Sequence, residues 1–218
     1  MPRIATRIIL LAFIVVSGAP VFFSEAIASE KTCSYEVAVW NVPARKVMEV
    51  RRVSHPYSEL AEEELDHETG CTVCSEDQVT ISLPSSADFR ICRKIAPEIS
   101  DILRRLIEDG VPILSIRGYQ VVRSRGGIDD NGNRKMLSNH SFGTALDINR
   151  ERNGLYDNCI MFGPECRLVL GGHWRPGVPG TLLKNGPVVR AMKAIGFRWG
   201  GEIKGRQKDF MHFSLTGY

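Results

Sequence analysis

The sequence predicts an α+β fold, an antiparallel sheet with flanking helices and an N-terminal disulfide-containing elaboration. Two observations set the class. Strand-like runs lie on both sides of one clear helical period, PEISDILRRLIEDG, without regular βα alternation, and a last strand-like run closes the chain. A third sets the elaboration: four of the six cysteines, Cys33, Cys71, Cys74 and Cys92, fall early, ahead of Cys159 and Cys166. The composition, 43% hydrophobic and 24% charged over 218 residues, is enough for one sizeable core.

Residues 1–28 read as a secretory signal. Arg3 and Arg7 precede an apolar run from Ile8 to Phe23, and Ala26-Ile27-Ala28 supplies a small-x-small cleavage site. Gly18 and Pro20 break the run short of the roughly 20 clean apolar residues that a membrane span needs. The expectation is an exported protein, periplasmic or cell-wall associated, with no stable membrane association after cleavage. The formal charge is +3, and no Lys/Arg run or aromatic-basic stripe suggests nucleic acid as a partner. An even number of cysteines in an exported chain makes all six disulfide candidates. Cys159 with Cys166 is the natural local pair; the other pairings stay open. The Cys71-x-x-Cys74 spacing lacks the flanking strand and helix of a redox motif and the second pair of a zinc knuckle.

Residues 29–84 form the β-rich elaboration. From Tyr35 to Pro56, Val37, Val39, Val47 and Val50 alternate around a break at Asn41 and Pro43, which predicts a hairpin. Glu62 to Asp66 reads as a solvated loop, and Val79 to Leu83 as a short strand. Residues 85–218 form the main domain. Pro97 suits a first helical turn, Ile99, Ile102, Leu103, Leu106 and Ile107 recur at helical spacing, and Gly110 stops the helix. Val111 to Arg123 reads as strand material, and Pro187 to Ile195 as a second, short helix.

The chemistry concentrates in two segments. In TALDIN, Leu146 and Ile148 point one way and Asp147 the other; in DFMHFSL, Met211, Phe213 and Leu215 share one face and His212 and Ser214 the opposite one. Two such strands side by side bring Asp147 to His212, and a turn pivoting at Gly143 folds His140 over them. Two histidines and one carboxylate with an open fourth position are the ligand set of a catalytic zinc site. Asp209, three residues before His212, is placed in the preceding turn as a general base acting on a zinc-activated water. The same residues also admit a structural reading, with hydrogen-bonded histidines and an Asp147 that caps a turn.

SNHSFGTALD, an S-x-H-x-x-G-x-A-x-D pattern, followed far downstream by DFMH, resembles the zinc D-Ala-D-Ala carboxypeptidases and L-Ala-D-Glu endopeptidases of the VanY-like group. GFRWGGEIKG is similar to that family's approach to its last ligand strand, and the resemblance covers roughly Ile113 to Tyr218. It implies a hedgehog/D-Ala-D-Ala peptidase-like fold, one zinc ion on His140, Asp147 and His212, Asp209 as base, and peptidoglycan stem peptides as partners. Where the family carries an arginine after Gly-Tyr, this chain has Gln120. Arg123 is the expected replacement in catalysis, and Gln120, Ser138 and Trp199 the expected substrate contacts. The competing expectation is a non-catalytic, zinc-stabilised binding domain of the hedgehog type, recognising wall peptides or a protein partner.

Overall fold

The computed structural model describes residues 30–84 and 86–217; the expected signal segment lies outside them. β1 (Thr32–Asn41) and β2 (Lys46–Pro56) make the expected hairpin, Thr32 opposite Pro56 and Asn41 opposite Lys46. Two small hairpins follow, β3 (Leu65–Asp66) with β4 (Cys71–Thr72) and β5 (Gln78–Leu83) with β6 (Ser86–Cys92). Next come α1 (Ala96–Glu108), β7 (Ile116–Arg117), β8 (Val122–Ile128) and β9 (Arg134–Leu137). The last third holds β10 (Ala145–Ile148), β11 (Leu155–Asp157), β12 (Arg167–Leu170), α2 (Pro187–Ala194), β13 (Arg198–Trp199), β14 (Lys208–Asp209) and β15 (His212–Ser214). Several small sheets with two α-helices among the described residues make this an α+β fold.

One sheet has the order β2-β1-β8-β9, with β1 parallel to β8, so it joins strands from both sides of residue 84. A second, antiparallel throughout, has the order β13-β15-β10-β7, and a third the order β12-β11-β14. The main core lies between the second sheet and the helices. Ile99, Ile102, Leu103 and Leu106 of α1 and Val188, Val189 and Met192 of α2 meet Leu146, Ile148 and Phe213 there. Each of these side chains contributes about 1.5–3 kcal/mol by leaving water.

Two expectations are corrected. The stretch Val111 to Arg123 is not continuous strand, because the backbone of Gly118–Gln120 is bonded elsewhere: Tyr119 N–H donates to the Arg90 carbonyl (2.6 Å) and Gln120 N–H to the His140 carbonyl (3.0 Å). Nor is Glu62–Asp66 a solvated loop. It is a 3-10 turn leading into β3, and Glu64 is only 5% exposed. Three donors satisfy its carboxylate: the Tyr35 hydroxyl, the Ala61 N–H (2.8 Å) and His55 Nε2 (3.0 Å). A buried carboxylate is tolerated when it is paired in this way.

All six cysteines are paired, Cys33–Cys74, Cys71–Cys92 and Cys159–Cys166. Cys71 and Cys74 therefore bond to different partners and not to each other. The first two bridges tie β1 to the turn that follows β4, and β4 to β6, each worth about 3–4 kcal/mol on chain-entropy grounds. Cys92 N–H also donates to the Gly143 carbonyl (3.1 Å), so this stapled region abuts the turn that carries His140.

The Glu64 cluster gives stability a pH dependence. The hydrogen bond to the Pro56 carbonyl, and then Glu64, raise His55 above its ordinary 6.5. Burial works to raise Glu64, but the bonds from Tyr35, Ala61 and His55 outweigh it and hold the carboxyl below its ordinary 4.5. The His55 contribution is full below 6.5 and lost as pH rises through the raised value; that of Glu64 is full above 4.5 and lost as pH falls through the lowered one. Thermal melts should therefore show the widest gap between the parent and His55→Gln near pH ~5.5, narrowing towards pH ~8.5. A gap that does not change with pH would show that His55 gains no charge-dependent stabilisation.

Candidate metal centre

β10 and β15 pair with Ala145 opposite Ser214, Leu146 opposite Phe213 and Asp147 opposite His212. The alternation read from the sequence holds: Leu146, Ile148 and Phe213 are at most 1% exposed, which sends Asp147 and His212 to the other face. His140 stands in the 3-10 turn Asn139–Phe142, which ends at Gly143 with φ of +66°. That glycine is required twice over. The conformation favours glycine, and a Cβ there would lie 2.1 Å from Gln78 Oε1 and 2.5 Å from the Cys92 nitrogen.

Three donor atoms converge. His140 Nε2 is 3.2 Å from Asp147 Oδ1 and 3.2 Å from His212 Nδ1, and His212 Nδ1 is 3.1 Å from Asp147 Oδ1. The three side chains are 13–15% exposed, enclosed yet open to solvent. Among the described residues they are the group of histidines and acids placed to hold a metal ion. The donor set fits one. His140 Nδ1 is 2.8 Å from the Gly118 carbonyl, to which it donates, so in the neutral ring Nε2 carries a lone pair. That lone pair faces a carboxylate oxygen and a second imidazole nitrogen. One proton satisfies one of these contacts, whereas a cation at the centre satisfies all three. The separations also approach the ~3.3 Å edge of a tetrahedron with bonds of about 2.0–2.1 Å.

The charges agree with this geometry. Burial works to raise the carboxyl of Asp147, but the two imidazoles, His140 foremost, hold it far below the usual range. Burial also opposes charge on both histidines; it prevails at His212, which is lowered, while Asp147 raises His140. Asp209 behaves in the opposite way. Burial, reinforced by the negative charge of Asp147, pushes its carboxyl well above the ordinary carboxylate value. It ends β14 opposite Leu155, just before the turn at Phe210–Met211, and its buried Oδ1 has no hydrogen-bond partner among the described residues. A buried carboxyl with an unused oxygen beside a cation site is a group able to accept and return a proton.

The remaining predicted residues are placed as follows. Arg123 is held away from the triad by a forked pair with Glu63 (3.0 and 2.5 Å) and by the Lys135 carbonyl (2.5 Å). The half-buried Arg125 donates to Asn139 Oδ1, on the turn that bears His140, and its charge helps lower His212. A register shift between the two arginines turns them apart. The side chain of Gln120 is exposed, and its backbone N–H holds the His140 carbonyl. Ser138 is buried against Ser141 (3.3 Å), and Trp199 is in the core with Nε1–H donating to the Phe210 carbonyl (2.8 Å).

Two contributors escaped the sequence reading, the Gly118 carbonyl and Asn139, and of the nearby arginines it is Arg125, not the expected Arg123, that bonds the His140 turn. Asn139 is 4% exposed and donates to Ser214 Oγ and the Gly217 carbonyl, which binds the His140 turn to the strand of His212. Its position immediately before His140 was the available sign. The structure brings His140, Asp147 and His212 together, with Asp209 close enough to feel the charges of Asp147 and His140.

No match was found among curated proteins or among solved structures. Residues 131–215 do match a family model, that of the D-alanyl-D-alanine carboxypeptidases. That stretch contains His140, Asp147, Asp209 and His212, and the match supports placing this site with the zinc peptidases.

Proposed function

We propose that the chain is an exported zinc metallopeptidase that hydrolyses peptide bonds in peptidoglycan, as a D-Ala-D-Ala carboxypeptidase or a cell-wall endopeptidase. The observation that carries the reading is the convergence of three lone-pair donors beside Asp209, a buried carboxyl with an unused oxygen. His140, Asp147 and His212 would hold the ion. Zinc bound by such a set supplies Lewis acidity, polarising a carbonyl and bringing the pKa of a coordinated water to about 7.

The chain's own residues do the rest. The Gly118 carbonyl fixes the His140 ring so that Nε2 faces inward. Asp209 takes a proton from the attacking water as its oxygen bonds to the substrate carbonyl carbon. It then gives that proton to the amine nitrogen as the C–N bond breaks. A carboxyl raised by burial suits both halves of this exchange near neutral pH. Arg125, which bonds Asn139 on the His140 turn and whose charge acts on His212, would take the role expected of Arg123 and supply a cationic donor to the substrate.

Mass spectrometry of wall peptides incubated with the protein, with and without a chelator, tests the activity; unchanged products with chelator present would rule out a metal-dependent reaction. His212→Ala should lose stoichiometric metal, and the melting temperature should become insensitive to added zinc. In the parent, zinc at 100 times its dissociation constant adds about 2.7 kcal/mol. Full occupancy in His212→Ala would remove that residue from the ligand set. Asp209→Asn is nearly isosteric and should keep metal and melting temperature while hydrolysis falls by about 10²- to 10⁴-fold. Peptides bound equally by parent and Asp209→Asn, with product from neither, would instead indicate a binding domain.

A further inference from the structure

Asp209 reaches the site on a two-residue strand, and the segment just before it is packed against its backbone. Gly200 opens the 3-10 turn Gly200–Glu202. A Cβ at Gly200 would lie 2.2 Å from the Asp209 carbonyl oxygen and 2.9 Å from the Asp209 Cβ, so the two residues touch with no side chain between them. The neighbouring Trp199 holds the Phe210 carbonyl at 2.8 Å. At the other end of the segment, Lys208 is only 7% exposed, and among the described residues its ammonium meets no carboxylate. It donates instead to the carbonyls of Ile203 and Gly205, the latter at 3.3 Å. A lysine buried without a counter-ion is tolerated only where such bonds replace its water. Here they close the loop on itself one residue before Asp209.

We propose that residues 200–208 form a clamp that sets the direction of the Asp209 carboxyl, with Gly200 and Lys208 as its positioning residues. Neither belongs to the metal-binding triad. Gly200 fixes how near the Asp209 backbone can lie, and Lys208 keeps the loop in the shape that presents Gly200. Displacing a reacting group by about 1 Å can cost on the order of 10²-fold in rate. The inference rests on Asp209 being the base.

The test measures kcat and KM for hydrolysis of peptidoglycan stem peptides by the zinc-loaded full chain, for Gly200→Ala, Lys208→Met and Lys208→Arg, alone and combined with Asp209→Asn. Metal content is followed in each. Gly200→Ala and Lys208→Met should lower kcat by about 10- to 100-fold with KM little changed and the ion retained. Lys208→Arg, which keeps the cation, should recover part of the loss. In the Asp209→Asn background the same changes should cost nothing further, because a positioning residue acts only through the carboxyl it positions. Equal losses in both backgrounds, or unchanged kcat in both single variants, would overturn the clamp. Should Gly200→Ala fail to fold, the Lys208 pair decides alone. A parent protein that releases no product would end the peptidase reading itself, an outcome distinct from an active parent whose variants match it.

Discussion

The pairing register of β10 with β15 is the constraint on which the site depends. Asp147 lies opposite His212 because Leu146, Ile148 and Phe213 must face the core, and side chains alternate along a strand with period two. A slip of β10 by one residue would bring Leu146 and Ile148 to the surface and turn Asp147 inward. At about 1.5–3 kcal/mol for each side chain, that alternative is excluded by several kcal/mol. Hydrophobic burial on one face thus fixes which donor atoms face each other on the other.

The third donor is held by different means. His140 arrives on a tight turn that only glycine can end at position 143, and its ring is oriented by a backbone carbonyl of the segment after β7. Asn139 ties the same turn to β15. Behind the turn, the Cys71–Cys92 bridge places Cys92 within hydrogen-bond distance of Gly143. The N-terminal region thereby buttresses the centre through β6. Its own strand β1 is paired with β8, from which Arg125 projects.

Much of this was legible in the chain itself. The alternations of TALDIN and DFMHFSL are local, and so are the helical stripe of α1, the proline start of α2 and the Cys159–Cys166 loop. Each depends on neighbours within a few residues, which a sequence displays directly. What escaped depends on partners far along the chain. Glu64 looks like one acid among several until Tyr35 and His55 supply its donors. The run from Val111 breaks because Gly118–Gln120 is claimed by Arg90 and His140. Which arginine lies by the His140 turn depends on the register shift between Arg123 and Arg125, set by pairing with β9 and not by periodicity along β8.

The account stands on three convergent N and O donors that need a cation between them. Titration of the metal-free protein with cobalt(II), followed by visible absorption, tests this most directly, since the ion reports both the number and the kind of its ligands. The prediction is saturation at one equivalent, with the intense ligand-field bands of a four- or five-coordinate N/O site that disappear in His140→Ala. Absence of uptake, or a thiolate charge-transfer band showing cysteine ligation, would contradict it.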